Sequence, residues 1–335
     1  MMKKKPAGSQ DVAKLAGVSR SAVSRTYTPG AYVSEETRAK VLAAAAMLDY
    51  SPNAIARSLS KSRSGLIGII ASTLDNPFYA RLLELLASTL QARGYAALLM
   101  VGDARNMDEL LAKLLSYQVD GVLLPASKLT SRMAVSLHRS GRPVVLVNHT
   151  LDSREVSSVS GDNYGGGRMV ADLLWETGHR RIAYVSGPID TSSAVDRGRG
   201  LQDRLREHGI GVHAQASGED TREQTAVVVR QMLNMTPPPD AIFCANDTMA
   251  VAALEVVTLE YGLRVPDDIA IVGYDNTILS TERLHALTSV DQNLEQMAQS
   301  AVDMLIRKMA SDAPDVADLS VPATLIRRST TRPRD

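Results

Sequence analysis

Residues 11–59 read DVAKLAGVSRSAVSRTYTPGAYVSEETRAKVLAAAAMLDYSPNAIARSL, and the first part of the architecture follows from them. A short helix beginning at Asp11 turns at Gly17-Val18-Ser19 and restarts as Arg20-Ser21-Ala22-Val23-Ser24-Arg25, the pattern of a helix-turn-helix. Ala13 and Leu15 are expected to pack inward, Gly17 to permit the tight turn, and Ser19 to cap the second helix. That helix presents small and cationic side chains at its N-terminal end. Such a surface suits the major groove of DNA, where Arg reads guanine edges and slim residues allow close approach; an ordinary helical hairpin is the alternative. A third helix is expected over 35–48, with Ser34 as N-cap and Val41, Leu42, Ala45 and Leu48 as its apolar face. Pro52 ends the bundle. Residues 53–59 have helix-forming composition but span only about two turns, which is marginal in water, and 61–65 read as a linker.

The chain of 335 residues exceeds one comfortable core. Its formal net charge of zero conceals an asymmetry: residues 1–64 hold 11 Lys and Arg against 4 Asp and Glu, and the remainder holds 26 against 33. A basic head on an acidic body fits a polyanion-binding module joined to something that does not touch the polyanion. The single cysteine, Cys244, excludes an internal disulfide and a thiolate metal cluster, and its apolar surroundings suggest a buried small residue. Neither a secretory h-region nor a membrane-length apolar run is present, so a cytoplasmic protein with no membrane partner is expected.

From residue 66 the pattern changes to alternating strands and helices. Apolar strands are expected over 66–71, 96–101, 121–124 and 143–147, separated by helices over 79–93, 108–117 and 131–139. A second series places strands at 181–186, 212–216, 241–244 and 269–274, with helices at 164–177, 194–208, 221–234 and 247–261. Continuous apolar strands between amphipathic helices imply parallel sheets covered on both faces. Two such series predict two α/β lobes with a cleft between them. A helix at 294–309 and a short strand at 323–326 follow.

These motifs together resemble the lactose-repressor (LacI/GalR-type) family of bacterial transcription regulators. The likeness rests on DVAKLAGVSRSAVSR, VSEETRAKVLAAA and Tyr50-Ser51-Pro52-Asn53 leading into residues 54–59. It continues through NPFY, GHRRIAYVSGP, FCANDTMA and LRVPDDIAIVGYDN to residue 276. The resemblance implies a small all-α helix-turn-helix headpiece (1–60, with its hinge helix), a linker (61–65), and an α/β core of two open parallel-sheet lobes (66–335). That core would be periplasmic-binding-protein-like, with the chain crossing between lobes near 161, 291 and 322. It also implies a homodimer, since the leucine-rich tail of tetrameric members has no counterpart after Arg327.

By the same resemblance, Arg20, Ser21 and Arg25 match positions that touch base edges, although Arg25 could contact phosphate alone. Ser24 would contact phosphate or pack. Asn53, Arg57 and Leu59 belong to the matching hinge segment, where the counterpart of Leu59 wedges between base pairs and kinks the duplex. The partners implied are double-stranded operator DNA and a small-molecule effector, inducer or corepressor. Family members respond to sugars, sugar phosphates, sugar acids or nucleobases.

Ligands of open α/β sheets sit beyond the C-terminal strand ends, and the loops there carry suitable groups. Asn76, Phe78 and Tyr79 follow the first strand; Phe78 could stack on a sugar ring or serve the core. Arg197 could fork two hydrogen bonds to a hydroxyl pair or a carboxylate. Arg197, Asn246 and Asp275 match effector-contacting positions of sugar-responsive members, as do Ser193 and Asn148. Asn246 and Asp247 equally suit a helix N-terminus, and Asp275 could close a turn with Asn276. A sugar or sugar acid is the effector class these residues favour.

Enzyme readings fail on the residues. Ser58-Leu59-Ser60-Lys61 fits S-x-x-K, but its partner motifs S-D-N and K-T-G are missing. Gly165-Gly166-Gly167 lacks Rossmann and P-loop spacing and reads as close helix packing. No H-E-x-x-H occurs, and no cofactor or metal is expected. A metabolite-binding protein with a vestigial headpiece is the remaining rival.

Overall fold

The computed structural model describes residues 7–28, 30–51, 64–102, 107–125, 131–151, 155–188, 191–310 and 316–333. The chain divides into two compact units, Met1–Ser64 and Gly65–Asp335.

In the first unit, α1 (Ser9–Ala16), α2 (Arg20–Thr26) and α3 (Glu35–Met47) form a three-helix bundle. Helix α1 starts two residues earlier than expected, because the Asp11 carboxylate accepts the Gly8 N–H at 2.8 Å and so satisfies an orphan donor of the first turn. Gly17 takes φ +63° at the turn, where a Cβ would be strained. Ser19 Oγ accepts the Ala22 N–H at 3.2 Å, and Ser34 Oγ accepts that of Thr37 at 3.3 Å. Val12, Ala13, Val23, Val41, Ala44 and Ala45 make the core. Leu15 and Leu42 do not join it; they are 48% and 47% exposed. Each lies about 100° around its helix from the centre of the buried face, and Val12 and Ala44 occupy the inward places.

The second unit contains two six-stranded sheets. In the first lobe β1 (Leu66–Ala71), β2 (Ala96–Val101), β3 (Gly121–Leu124), β4 (Val144–Val147) and β5 (Ser157–Gly161) run parallel, and a later strand, Asp318–Val321, pairs with β5. Helix α4 (Pro77–Ala92) covers one face with Phe78, Leu82, Leu86 and Leu90. α5 (Met107–Ser116) and α6 (Ser131–Arg139) contribute Leu114 and Leu137 to the other. With both faces covered, β3 and β4 are apolar at every position.

The second lobe begins with α7 (Asn163–Glu176) and continues through β6 (Ile182–Ser186), α8 (Ser192–Glu207), β7 (Ala214–Ser217), α9 (Arg222–Leu233), β8 (Ala241–Cys244), α10 (Asp247–Glu255) and β9 (Ala270–Tyr274). Helix α10 widens into a π-helical turn, Val256–Glu260. A short α11 (Ile278–Thr281) leads to β10 (Thr288–Asp291). The chain then returns to the first lobe as α12 (Leu294–Ala310) and β11 (Asp318–Val321), and ends in the second lobe with β12 (Thr324–Ile326), antiparallel to β10. Among the described residues it therefore passes between lobes three times: after β5, after β10 and after β11. Cys244 is buried, as its apolar neighbourhood implied.

Helices α7 and α8 approach so closely that backbones meet. A Cβ on Gly200 would lie 2.1 Å from the Tyr164 carbonyl oxygen, and one on Gly167 would lie 2.2 Å from that of Arg197. Of the triple glycine only Gly167 thus serves helix packing, fixing where α8 delivers Arg197; Gly166 makes room for the Tyr274 ring and Gly165 for the capping carboxylate of Asp162.

Candidate DNA-reading helix and effector cleft

Arg20, Ser21, Ser24 and Arg25 are all exposed on one face of α2, while Ala22, Val23 and Thr26 are buried on the other. The two faces follow from the helical repeat, because positions 20, 21, 24 and 25 share a stripe roughly 140° wide. Arg38 donates to the Thr26 carbonyl at 3.0 Å and clamps α2 to α3. Arg20 Nε donates to Ser9 Oγ at 3.2 Å, and Arg25 Nε reaches the Ser21 carbonyl at 3.4 Å. These single, exposed bonds leave most of each guanidinium's donors facing outward. Asn53, Arg57 and Leu59 lie outside the described residues. Arg20→Ala and Arg25→Ala are each expected to cost about 1–3 kcal/mol on operator DNA and to relax one position of the half-site. Titrations on single-base operator variants check this; a loss equal on every sequence would reduce both residues to phosphate contacts.

In the core, a cleft opens between the lobes. The first lobe lines it with Asn76, Phe78, Tyr79 and Asn148, and the second with Ser193, Arg197, Asn246 and Asp275. All eight residues singled out from the sequence thus face one space. Five more, Gly187, Thr191, Ala194, Asp220 and Ala245, join them.

Their environments differ. Phe78 is a core residue, 2% exposed, whose ring meets Tyr79 edge-on at 5.2 Å; both readings of it hold, as wall and as core. Asn76 caps α4 by accepting the Phe78 N–H at 2.9 Å. Asn148 sits at φ +67°, and its buried Oδ1 meets no hydrogen-bond donor. Asn246 is both cap and lining residue: its Oδ1 accepts the Met249 N–H at 2.9 Å and its Nδ2 donates to Asp220 at 2.9 Å.

Arg197 is only 5% exposed. Its Nε donates to Asn163 Oδ1 at 2.8 Å and its Nη1 to the Ala245 carbonyl. Its Nη2 lies 3.5 Å from Asp275 Oδ1, and the guanidinium rests 3.7 Å from the centroid of the Tyr274 ring. The fork expected to grip a ligand is therefore largely committed to the protein. Asp275 stands at φ +102°, accepting from Gln292 Nε2 at 2.7 Å. Burial pushes its carboxyl up from the ordinary range, and Arg197 opposes that shift.

The loop carrying Asp275 is braced from below by Asp247, which accepts from Thr277 N at 2.6 Å, Thr277 Oγ1 at 2.9 Å and Ser289 Oγ at 2.6 Å. Burial raises the Asp247 carboxyl to about 6 against the pull of these donors. Arg328 completes the brace by donating to Asn276 Oδ1 at 2.6 Å. Asp247 thus serves the loop rather than the α10 cap.

Sequence reasoning missed Asp220, Thr191 and Gln292. Asp220 lies in an all-polar turn and Gln292 at a lobe crossing, and neither position stands out without the fold. Thr191, next to Ser193 at the start of α8, carried a signal as a helix-start residue.

His149, beside Asn148, is 6% exposed, and burial lowers its imidazole to about 4 against a bond to the Val147 carbonyl. Its folded value lies below its unfolded one, so on acidification the unfolded chain takes up the proton first. Stability is therefore lost as pH falls from about 6.5 to 4, by up to roughly 3 kcal/mol. Urea unfolding at pH 7, 6 and 5 is expected to show a steeper loss in the parent than in His149→Gln; parallel slopes would acquit this residue.

Among the described residues no group of three or more His, Cys, Asp or Glu could hold a metal ion. No helix there is long and apolar enough to cross a membrane.

Comparison with known proteins finds relatives for both units. Residues 10–53 match the profile of bacterial regulatory proteins, lacI family, and residues 171–331 that of a periplasmic binding protein-like domain. The chain is 34% identical over 327 residues to the HTH-type transcriptional repressor PurR of Proteus mirabilis, covering 95% of each chain. It is also 34% identical to the HTH-type transcriptional regulator CelR of Thermobifida fusca, covering 95% of this chain and 96% of that one. A lac repressor dimer bound to operator and the anti-inducer ONPF superimposes with a TM-score of 0.87 at 30% identity, over 98% of this chain and 99% of that chain. A CelR–cellobiose complex does so with a TM-score of 0.73 at 31% identity, over 97% and 99%. The relatives are repressors and regulators, not enzymes, and this chain belongs to the lacI family of bacterial transcription regulators, with a helix-turn-helix headpiece and a two-lobed periplasmic-binding-protein-like core.

Proposed function

We propose that this chain represses transcription as a homodimer on a pseudo-palindromic operator, and that a sugar or sugar acid bound between the lobes sets its affinity for DNA. The observation that carries this reading is the convergence of Asn76, Asn148, Ser193, Asn246 and Asp275 with the Phe78–Tyr79 pair on a single inter-lobe cleft. Polar groups with an aromatic wall suit a polyhydroxylated ring, which offers hydroxyls on its rim and C–H groups on its face.

The three crossings supply the means of control. A ligand gripping both lobes favours one lobe arrangement over another, and the arrangement that brings two hinge segments together is the one that binds DNA. Asn53, Arg57 and Leu59 would act there, with Leu59 opening a base step. Operator must in turn change effector affinity by the same factor.

A homodimer accords with the surface. Strand β2 forms one sheet edge, and Leu99 and Val101 on it are 45% and 44% exposed. Ile278 and Leu284 of the other lobe are 65% and 92% exposed. Apolar groups so placed call for a covering surface.

The test is operator binding by fluorescence anisotropy, with sugars, sugar acids and nucleobases added in turn. Loss or gain of affinity with a sugar supports the reading; a response confined to nucleobases ends the carbohydrate part, and no preference for a palindromic operator ends the whole. Asp275→Asn puts an amide donor where effector hydroxyls would donate, so effector affinity should fall by roughly one decade at neutral pH, and further above pH 8, where the parent carboxyl, raised to about 8 by burial, is charged. Affinity for DNA without effector should stay within twofold. Calorimetry showing unchanged effector binding would remove Asp275 from the site.

A further inference from the structure

We infer that Arg328 is a positioning residue that ties the effector cleft to the exposed apolar face of the second lobe, so that a ligand held at Asp275 alters how firmly two copies of the chain associate. The inference rests on the homodimer and the effector cleft proposed above, and adds the connection between them.

Cleft and face belong to one segment, residues 275–287. It leaves β9 at Asp275, which lines the cleft, forms α11 and returns to β10. On the way it exposes Ile278 and Leu284, the latter at 92%. Three non-glycine residues near its ends are left-handed: Asp275 at φ +102°, Asn276 at +48° and Ala286 at +39°. Such conformations cost free energy and persist only where the surroundings impose them. Alanine has no polar side chain with which to offset that cost, so the hold on this segment must come from elsewhere.

Arg328, in the stretch after β12, supplies it. Its Nη2 donates to Asn276 Oδ1 at 2.6 Å, and its Nη1 donates to the Leu287 carbonyl at 2.7 Å and to Ser280 Oγ at 3.3 Å. One planar group thus grips the segment at both ends and in the middle, a reach that a lysine ammonium lacks. The stretch is itself anchored. Arg328 N donates to Thr288 Oγ1 at 2.9 Å, Ser329 N to the Ala286 carbonyl at 2.9 Å, and Ile271 N to the Thr330 carbonyl at 3.0 Å. Asn276 carries the connection back to the cleft. Its Nδ2 donates to Asp291 Oδ2 at 2.8 Å, next to Gln292, whose Nε2 holds Asp275 at 2.7 Å. A packed element braced in this way shifts as a unit rather than bending. A ligand that draws on Asp275 therefore also moves the face carrying Leu284. By linkage, association of two copies must change the cleft by the same factor.

The experiment is hydrogen exchange on the full, ligand-free chain, read residue by residue at concentrations about tenfold above and below each protein's own dimer dissociation constant. In the parent, association should slow exchange at least about fivefold both at 278–284, the covered face, and at 275–277, the cleft end. In Arg328→Met the slowing should persist at 278–284 and fall below about twofold at 275–277. That variant also gives up three hydrogen bonds, so Ala286→Gly serves as the second arm. It removes no side-chain bond and relieves a left-handed alanine, so the core should melt at or above the parent temperature. The slowing at 275–277 should nevertheless be lost. Slowing there that is absent from the parent or survives either substitution overturns the proposal, as does an Ala286→Gly core that melts below the parent. A parent that stays monomeric ends the homodimer reading and the inference with it. Sedimentation with glucose, galactose, cellobiose, glucuronate and galacturonate reads the linkage from the other side. A sugar that binds should shift the dimer dissociation constant at least about fivefold in the parent and less than about twofold in Arg328→Met. A bound sugar that leaves the parent's constant unchanged overturns the proposal. If none of these sugars binds, only the carbohydrate reading fails, and the exchange measurement decides.

Discussion

Arg197→Ala is expected to destabilise the core by about 3–5 kcal/mol, the loss typical of breaking a buried ion pair from one side. The guanidinium satisfies Asn163 Oδ1 and the Ala245 carbonyl, faces Asp275 and covers the Tyr274 ring. Truncation leaves two acceptors and a buried carboxylate without their cation. Arg197→Lys restores charge but not the planar fork or the ring contact, and should lie between the two. Urea unfolding of the three proteins at neutral pH checks the order. A loss below about 1 kcal/mol in Arg197→Ala would mean that water replaces the guanidinium freely, and the site would then be far less rigid than its contacts imply.

Gly200→Ala is expected to cost about 2–3 kcal/mol, although alanine in a helix interior ordinarily gains about 1 kcal/mol over glycine. The added methyl would stand 2.1 Å from a backbone oxygen of α7, so no side-chain rotation relieves it and the helices must part. Because Arg197 lies one turn earlier on α8, the same shift should weaken effector binding. Gly211→Ala is the control, since a Cβ there meets nothing within 4 Å, and it should change stability by less than about 0.5 kcal/mol. Thermal melts with and without effector separate the two effects. Equal stability of Gly200→Ala and the parent would show that the helix pair is plastic.

Much of the fold was legible because its strands are buried on both faces. Segments such as Leu66–Ala71 and Ala241–Cys244 are apolar runs that admit few other readings. Of the three strands that escaped notice, Asp318–Val321 reads DLSV and is largely exposed, and the other two are built from hydroxyl-bearing residues: Ser157–Gly161 reads SSVSG and Thr288–Asp291 reads TSVD. Both are buried, but their alternation resembles a loop. In the headpiece, choosing inward residues by size failed where geometry favoured alanine and valine over Leu15 and Leu42. The cleft was legible at its motif-borne positions, because sheet topology gathers the C-terminal strand ends whatever their spacing in sequence. Asp220 was not, since its contribution depends on a left-handed turn and on the empty space at Gly187. Nor could sequence show that Arg197 spends its donors on the protein.

The threefold passage between lobes has a consequence for how the chain is made. The first lobe is not a segment of the gene product: α12 packs on α4 and on β3, β4 and β5, and β11 pairs with β5 across some 160 positions. A ribosome that has just released β5 holds a sheet whose apolar face lacks part of its cover and whose edge lacks its last strand. The missing pieces emerge roughly ten to thirty seconds later at ordinary elongation rates. During that interval the nascent chain carries exposed β-surface that a chaperone must shield, and a product terminated near residue 290 would aggregate rather than survive as half a protein.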